Sequence, residues 1–247
     1  MAKADLHIHT RTSDGLATIE QVLEHVEHHT DLDVIAITDH EDVRGGLRAQ
    51  ELAAKRGYRF EVVPGAEITT LQGHLLGLFI ESTPKSFRHV EHTLEAIHRE
   101  SGLAVVPHPM CWLTRSLSRR TVDRICQRDE QGVTFDAVEL ANPSPATKPS
   151  APKAHRLNES SWKLPVTGGS DAHHLVCIGA GWTEFPGGGA DGLRHALVAG
   201  TTMGRMSRYP SVTEMGVGRV VLQLAWGYAA TPRKLLGGSR GHARISR

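Results

Sequence analysis

The sequence predicts an α/β fold in which helices cover a barrel-like sheet. Short apolar runs of strand length alternate with amphipathic segments of helical periodicity, and the connections between them are short. About seven such units follow one another without a linker, which favours a barrel over an open sheet. The 247 residues of the chain fit a single large domain of this kind.

The first unit opens with the polar strand Asp5-Leu6-His7-Ile8-His9-Thr10, whose alternate side chains face opposite sides. Thr18 and Gln21 resemble a capping box at the start of the first helix, and Gly57 is expected to stop the second. Further strands are predicted over 33–37, 60–63, 73–80, 103–106, 135–140, 164–167 and 179–185, and helices over 43–56, 87–100, 119–130, 153–162 and 192–199.

The chain divides into three predicted segments. Residues 1–213 form the barrel domain. Residues 214–236 are expected to be a helical extension, because apolar residues there recur at helical spacing, and this helix is a candidate contact for a homo-oligomer. Residues 237–247 are rich in Gly, Arg and Ser and are predicted to be disordered.

Composition argues against several classes of protein. The formal net charge of +1 provides no electrostatic footprint for nucleic acid or an anionic membrane. Three scattered cysteines are too few for a disulfide framework or a zinc knuckle. The first strand leaves no room for a signal peptide, and no apolar run has the length of a membrane-spanning helix. We therefore expect a cytoplasmic protein without a membrane or a stable nucleic-acid partner.

Polar residues gather at the predicted ends of strands, where barrels of this class carry their chemistry. Sixteen histidines are unusually many, and histidine is the commonest metal ligand. A His-x-His strand alone is more often a pair of solvated side chains, but the later strand ends add further donors. The collected set is His7, His9, Asp14, His40, Glu67, His74, His108, Asp171 and His173.

Six imidazoles and three carboxylates exceed what one ion can bind. A glutamate can bridge two cations, and a mixed nitrogen and oxygen set suits Zn²⁺, Mn²⁺ or Fe²⁺. We therefore predict two or three divalent metal ions as cofactors. Such a centre generates hydroxide at neutral pH and stabilises both oxygens of an in-line displacement, which favours phosphate-ester hydrolysis. Amide hydrolysis fits the same residues.

Several motifs together resemble the PHP (polymerase and histidinol phosphatase) family, in the family's order and over about residues 4–175. The resemblance implies a distorted (β/α)7 TIM-like barrel with up to three metal ions, which usually acts as a phosphoesterase. The motifs are Asp5-Leu6-His7-Ile8-His9-Thr10, Ser13-Asp14-Gly15, Thr38-Asp39-His40, Pro64-Gly65-Ala66-Glu67, Gly73-His74, His108-Pro109 and Gly169-Ser170-Asp171-Ala172-His173.

The family pattern also implies how the ligands are shared. One ion would be held by His7, His9, Glu67 and Asp171, a second by Glu67, His74 and His108, and a third by Asp14, His40 and His173. None of these positions is substituted, so we expect an active, metal-competent protein. We expect a metal-bridging hydroxide, held by Glu67, Asp171, His7 and His9, to attack phosphorus.

Other polar residues are predicted to support this centre. Asp5, Asp39, Glu139 and Asn142 are expected to orient ligands without binding metal themselves. The Glu139-x-x-Asn142 strand end resembles a family motif that an arginine often follows to meet phosphate, but here proline follows. The candidates for that cation are Arg11, Arg115, Lys148 and Lys153, and for each of them an ordinary solvated charge is the alternative.

The chain most resembles the small stand-alone, TrpH-like members of the family, and we expect it to hydrolyse a small phosphate monoester. Two alternatives stay open. In the first, the substrate is a phosphodiester, a cyclic phosphate or an oligonucleotide end. In the second, the protein is a non-catalytic, metal-stabilised binding module. Only about forty residues separate Glu67 from His108, so the inserted domain of nucleotide-hydrolysing members is absent, which argues against a nucleotide.

Overall fold

The computed structural model describes residues 1–128, 132–223 and 225–226, and the described residues contain nine strands. These are β1 (Ala2–Ile8), β2 (Val34–Ile37), β3 (Glu61–Thr69), β4 (His74–Leu78), β5 (Leu103–Val106), β6 (Ala137–Ala141), β7 (Val166–Gly168), β8 (Gly181–Phe185) and β9 (Met203–Met206). They form one sheet in the order β7-β6-β5-β4-β3-β2-β1-β8-β9. The predicted α/β fold with a barrel-like sheet is confirmed.

Helices follow most of the strands. The capping box of Thr18 and Gln21 is present at the start of the first helix, and Gly57, with φ 65°, ends the second in the left-handed conformation. Within the described ranges, no helix has the length and apolarity needed to cross a membrane. The helices are α1 (Ile19–His29), α2 (Arg44–Arg56), α3 (Val90–Arg99), α4 (Arg119–Cys126), α5 (Ala151–Leu157), α6 (Gly189–Ala199) and α7 (Val212–Met215).

The sheet contains more antiparallel pairs than an alternation of strands and helices implies. β1, β2 and β3 are parallel, as are β5, β6 and β7. β4 is antiparallel to both neighbours. It cannot be parallel to β3, because residues 70–73 between them are too few for the crossover that a parallel pair requires. β8 is antiparallel to β1 and β9. Within the described residues the sheet has nine strands, where the family pattern implied seven.

Side-chain hydrogen bonds draw the two ends of the sheet together. The Thr183 hydroxyl on β8 accepts the N–H of Gly168 on β7 at 2.9 Å and donates to the Gly168 carbonyl at 2.9 Å. A Cβ atom on Gly168 would lie 2.2 Å from the Trp182 carbonyl oxygen, so this close approach requires glycine. The sheet is therefore a nearly closed barrel.

Three buried apolar clusters hold the helices against the sheet. The first contains Leu94 of α3 and Val122 of α4, and the second contains Val26 of α1 and Leu52 of α2. The third joins Leu197 of α6 to side chains of the central strands. Burial of these apolar side chains is the main favourable contribution to the stability of the fold.

The C-terminal predictions fall partly outside the described residues. Residues 217–223 and 225–226 are helical. Residues 224 and 227–236 of the predicted helical extension, and all of 237–247, for which disorder is predicted, lie outside the described ranges. The predicted domain boundaries stay predictions.

Candidate metal centre

The fold brings all nine predicted donors to one end of the barrel. Backbone hydrogen bonds join His9 to Ala172 at 2.9 Å and Ala172 to His7 at 3.2 Å, which places Asp171 and His173 beside the end of β1. His40 forms a β-bridge with Glu67. Because β4 is antiparallel to β3, its first residue, His74, pairs with Thr69 at the same end as Glu67. Asp14 lies in the loop after β1, and His108 directly follows β5.

Glu67 lies at the centre of these donors and is 1% exposed. Its Oε2 atom lies 3.3 Å from Nε2 of His7, 3.3 Å from Nε2 of His9 and 3.4 Å from Nδ1 of His40. Its Oε1 atom lies 2.7 Å from Nδ1 of His74 and 3.1 Å from Nε2 of His108. One carboxylate therefore faces five imidazoles, with its two oxygens turned to different histidines.

Asp171 and Asp14 extend the cluster away from Glu67. Oδ1 of Asp171 lies 3.6 Å from Nε2 of His7 and 3.4 Å from Nε2 of His9. Oδ2 of Asp14 lies 3.6 Å from Nε2 of His40 and 3.4 Å from Nε2 of His173. The nine donors are thus one continuous cluster.

The groups of donors that lie close enough to share an ion overlap. Each group has its ligand atoms within 4.8 Å of one another. His9 belongs both to a group with His7 and Glu67 and to a group around Asp14, so the division into three ligand sets that the family pattern implies stays a prediction. The groups are His9, Asp14, His40 and His173; His7, His108 and Asp171; His7, His9 and Glu67; and His40, Glu67 and His74.

The distances between the donor atoms suit binding of divalent cations better than hydrogen bonding among the donors themselves. Among the described residues, both ring nitrogens of His9 and the Nδ1 atom of His40 are buried without a hydrogen-bond partner, which is costly for polar atoms. Most of the nitrogen–oxygen separations, 3.3 to 3.6 Å, are long for hydrogen bonds. Two donors bound tetrahedrally to one ion at about 2.1 Å lie about 3.4 Å apart. The cluster therefore fits divalent metal ions.

Burial and neighbouring charges shift the pKa values of several groups in the cluster. Burial opposes ionisation of Glu67, but facing histidines such as His74 and His40 hold its pKa well below the usual value. Burial also opposes protonation of His9, yet its contacts with Asp171 and Glu67 raise its pKa to about 9. Burial lowers the pKa of His40 well below its ordinary value. The carboxylates thus stay ionised and attract positive charge, whether as protons or as metal cations.

Glu139 contacts two of the donors, and its predicted role of orienting ligands stays a prediction. Its Oε1 atom lies 3.0 Å from Nδ1 of His7, and its Oε2 atom accepts the backbone N–H of His108 at 2.9 Å. The Asn142 amide donates to the same Oε2 atom at 2.9 Å. His108 has φ 29°, a conformation that side chains rarely adopt, and the bond to Glu139 helps to hold it.

Asp5 and Asp39 brace the backbone of the ligand loops. Asp5 accepts the N–H groups of Ser170 at 2.9 Å and Gly179 at 2.8 Å, which fixes the segment that carries Asp171. Burial raises the pKa of Asp5 to about 6. Asp39 accepts the Thr10 N–H and hydroxyl and the Ser13 hydroxyl, each at 2.7 Å, and so shapes the turn that holds Asp14.

Two hydroxyl residues at the centre were missed by the sequence reasoning. Ser116 Oγ lies 2.7 Å from Nδ1 of His108, and Thr114 Oγ1 lies 3.2 Å from the same atom. With Nδ1 occupied, Nε2 of His108 is the atom directed at Glu67. Neither residue lies at a predicted strand end or in a motif, so the sequence carries no signal for this contact.

The four predicted phosphate-binding cations lie on the surface. Arg11, Arg115, Lys148 and Lys153 are all exposed. Arg115 stacks its guanidinium over the ring of Phe87 at 5.5 Å. Among the described residues, none of the four forms an ion pair with a carboxylate. Their assignment to phosphate stays a prediction.

Comparison with known proteins points to one family. A family described as PHP-associated matches residues 156–202. An uncharacterized protein of Methanocaldococcus jannaschii is 38% identical over 152 residues, which cover 57% of this chain and 81% of that protein. The structure of a two-domain protein from Bacteroides vulgatus, described as containing a predicted PHP-like metal-dependent phosphoesterase, matches with a TM-score of 0.66 at 21% identity. That match covers 83% of this chain and 64% of the other, and it is a likeness of fold.

Two further relatives match over shorter regions. A 3′,5′-nucleoside bisphosphate phosphatase of Chromobacterium violaceum is 36% identical over 85 residues, or 33% of this chain. A phosphoribosyl 1,2-cyclic phosphate 1,2-diphosphodiesterase of Eggerthella lenta is 35% identical over 104 residues, or 39% of this chain. The chain spans only 29% and 38% of the lengths of these two relatives.

Proposed function

The chain belongs to the PHP family, and from this premise we propose that it is a metal-dependent phosphoesterase that hydrolyses a small phosphate monoester. The observation that carries the proposal is the position of Glu67, whose two carboxylate oxygens face five buried imidazoles. A carboxylate placed in this way suits two cations at once, and paired cations are suited to phosphoryl displacement.

The contacts of the donors support the following roles within this proposal. His7, His9, Glu67 and Asp171 would hold one part of the metal centre, and the remaining donors would hold the rest. Divalent cations held by these residues would supply Lewis acidity towards a phosphate ester and would lower the pKa of a water molecule. Glu139 presents Nε2 of His7 to the cluster by occupying Nδ1.

In this proposal the substrate phosphate contacts the metal centre and also basic side chains outside it. Arg11 lies two residues after His9, on the loop that also carries Asp14, and Arg115 lies on the loop that follows His108. Neither has a carboxylate partner within the described ranges, so each is available to a phosphate oxygen. Lys148 and Lys153 are further candidates on the neighbouring loop and on α5.

Chelation and one substitution test the proposal. Purified protein with Mn²⁺ or Zn²⁺ is expected to hydrolyse p-nitrophenyl phosphate, and both EDTA and His9→Ala are expected to abolish the turnover. The matched control is His92→Ala, an exposed histidine on α3, which should retain it. Turnover that survives both EDTA and His9→Ala would overturn the mechanism. Folded, metal-loaded protein without turnover of any ester would favour the non-catalytic binding module.

Hydrolysis of a diester or cyclic phosphate is the second candidate. Support for it comes from the relative named as a cyclic phosphate diphosphodiesterase, which is 35% identical over 104 residues. Comparing p-nitrophenyl phosphate with bis-p-nitrophenyl phosphate distinguishes the two. A higher kcat/KM for the diester would favour the second candidate over the first.

A further inference from the structure

Residues 110–117, here called the rim loop, form a compact loop with an exposed apolar tip directly after His108. The backbone N–H of Met110 donates to the Leu117 carbonyl at 3.1 Å and closes the neck of the loop. At the tip, Trp112 is 73% exposed and Leu113 is 60% exposed. No other large apolar side chain in the described ranges is as exposed as Trp112, and an indole left in water in this way is typical of a binding surface.

The rim loop is tied to His108. Ser116 Oγ lies 2.7 Å from Nδ1 of His108 and donates to the His108 carbonyl at 2.8 Å. The Cys111 N–H donates to the same carbonyl at 3.2 Å. Hydrogen bonds from Cys111, before the tip, and from Ser116, after it, therefore fix the tip to His108, a predicted metal ligand.

The same loop is also tied to His74. The His74 N–H donates to the Arg115 carbonyl at 2.5 Å. A Cβ atom on Gly73 would lie 2.5 Å from the Leu117 nitrogen, so the loop packs directly on the Gly73 backbone. His74 and His108 are the two donors that face Oε1 of Glu67. The rim loop thus borders this side of the centre.

Exposed cations lie in the rim loop itself and on the segment joined to it. Arg115 is exposed within the loop, over the ring of Phe87. The Cys111 thiol donates to the Ala146 carbonyl at 3.1 Å, which joins the rim loop to the segment that carries the exposed Lys148. An aromatic face with cations nearby is the combination that binds a planar base next to phosphate groups.

We propose that Trp112 stacks on a planar aromatic ring, of nucleobase size, that the phosphate ester carries, while Arg115 and Lys148 meet its anionic groups. The inference rests on the proposed phosphoesterase function and adds the class of substrate. Loops at strand ends of barrels commonly determine specificity. The rim loop would thereby provide a contact for the base in place of the inserted domain, whose absence argued against a nucleotide substrate. The same ring chemistry is present in a mononucleotide and at the 5′ end of an oligonucleotide.

Paired substrates with and without the ring test the proposal. The kcat/KM values of AMP, ribose 5-phosphate and a 5′-phosphorylated dinucleotide are measured with metal-loaded wild-type protein, Trp112→Ala, Trp112→Phe and Val198→Ala. Val198, on α6, is 71% exposed and serves as the matched control. We expect wild type to prefer AMP to ribose 5-phosphate, and Trp112→Ala to lower this ratio about tenfold, the size of one stacking interaction. Trp112→Phe should retain most of the preference, and Val198→Ala all of it.

The outcomes separate this inference from the proposed function. A ratio that Trp112→Ala leaves unchanged, or a wild type that does not distinguish AMP from ribose 5-phosphate, overturns the stacking role alone. If neither ester is turned over, the proposed function fails, and calorimetric binding of AMP and ribose 5-phosphate decides the role of Trp112. A ring-dependent affinity that Trp112→Ala removes supports it, and any other result overturns it. A preference for the dinucleotide over AMP identifies an oligonucleotide end as the source of the ring.

Discussion

The Nδ1 atom of His7 lies 3.0 Å from Oε1 of Glu139, and both side chains are buried. Because this contact occupies Nδ1, Nε2 is the nitrogen that faces Glu67 at 3.3 Å. The other oxygen of Glu139 accepts the His108 N–H at 2.9 Å. One carboxylate on β6 thus orients two donors that come from β1 and from the loop after β5.

Glu139→Gln should weaken metal binding and activity without unfolding the protein. Glutamine keeps the shape of the side chain but removes the charge that favours the required His7 tautomer, so we expect a loss of about 10- to 100-fold in metal affinity. Competition with a chromophoric chelator measures it. Glu159→Gln, at an exposed glutamate after α5, is the matched control. Unchanged affinity in Glu139→Gln would show that Glu139 does not orient His7.

Asp5→Asn should destabilise the fold. The amide can accept through only one oxygen, so one of the N–H groups of Ser170 and Gly179 would face another donor in a buried site. We expect the free energy of unfolding to fall by about 1–3 kcal/mol, measured by urea denaturation of the metal-free protein. Asp33→Asn removes a carboxylate that accepts one N–H at the surface and should have a much smaller effect. Equal losses would argue against this role of Asp5.

Most of the nine donors could be located from the sequence because strand periodicity fixes where each strand ends. Once Val34–Ile37 is identified as a buried strand, His40 falls at its C-terminal end, and the same reasoning applies to His108 after Leu103–Val106. That reasoning does not cover His74, which begins a strand. His74 lies at the same end of the barrel as the other donors because β4 runs antiparallel to β3.

Other features could not be predicted because they depend on how a loop closes or on exact distances between donor atoms. The hydroxyl of Ser116 meets His108 only because the rim loop closes on itself, and a non-periodic loop carries no pattern that fixes its closure. The overlap of His9 between two groups of donors is likewise set by distances of a few tenths of an ångström. The position of the donors was thus predictable, while their grouping was not.

Removal of metal should lower the thermal stability. In the part of the chain that the structure describes, buried nitrogens of His9 and His40 lack hydrogen-bond partners, so an ion that binds them stabilises the folded state over the unfolded chain. At an ion concentration about 100-fold above Kd the gain is about 2.7 kcal/mol, or roughly 5–10 °C in Tm. Calorimetry of EDTA-treated protein before and after addition of Mn²⁺ or Zn²⁺ measures it. His9→Ala should show a smaller shift than His92→Ala, and equal Tm values with and without metal would contradict a buried metal centre.

The stability of the protein should also depend on the protonation of His98, away from the metal centre. Nε2 of His98 lies 2.8 Å from Oδ2 of Asp136, and Nδ1 lies 2.9 Å from the Gly132 carbonyl oxygen. Both neighbours are acceptors, so the ring satisfies both only when each nitrogen carries a proton. The bond to Asp136 is the main cause that raises the pKa of His98 above its ordinary value.

Because the folded protein binds this proton more tightly than the unfolded chain does, the contribution is fully present below about pH 6.5 and disappears as the pH rises through the raised pKa. His98→Gln should therefore lose stability relative to wild type, on the order of 1 kcal/mol, at pH 5.5, and the difference should shrink towards pH 9. Urea denaturation across this range, with His92→Gln on the same helix as the control, measures the difference. A gap that stays constant with pH would mean that packing, and not the charge on His98, accounts for the loss.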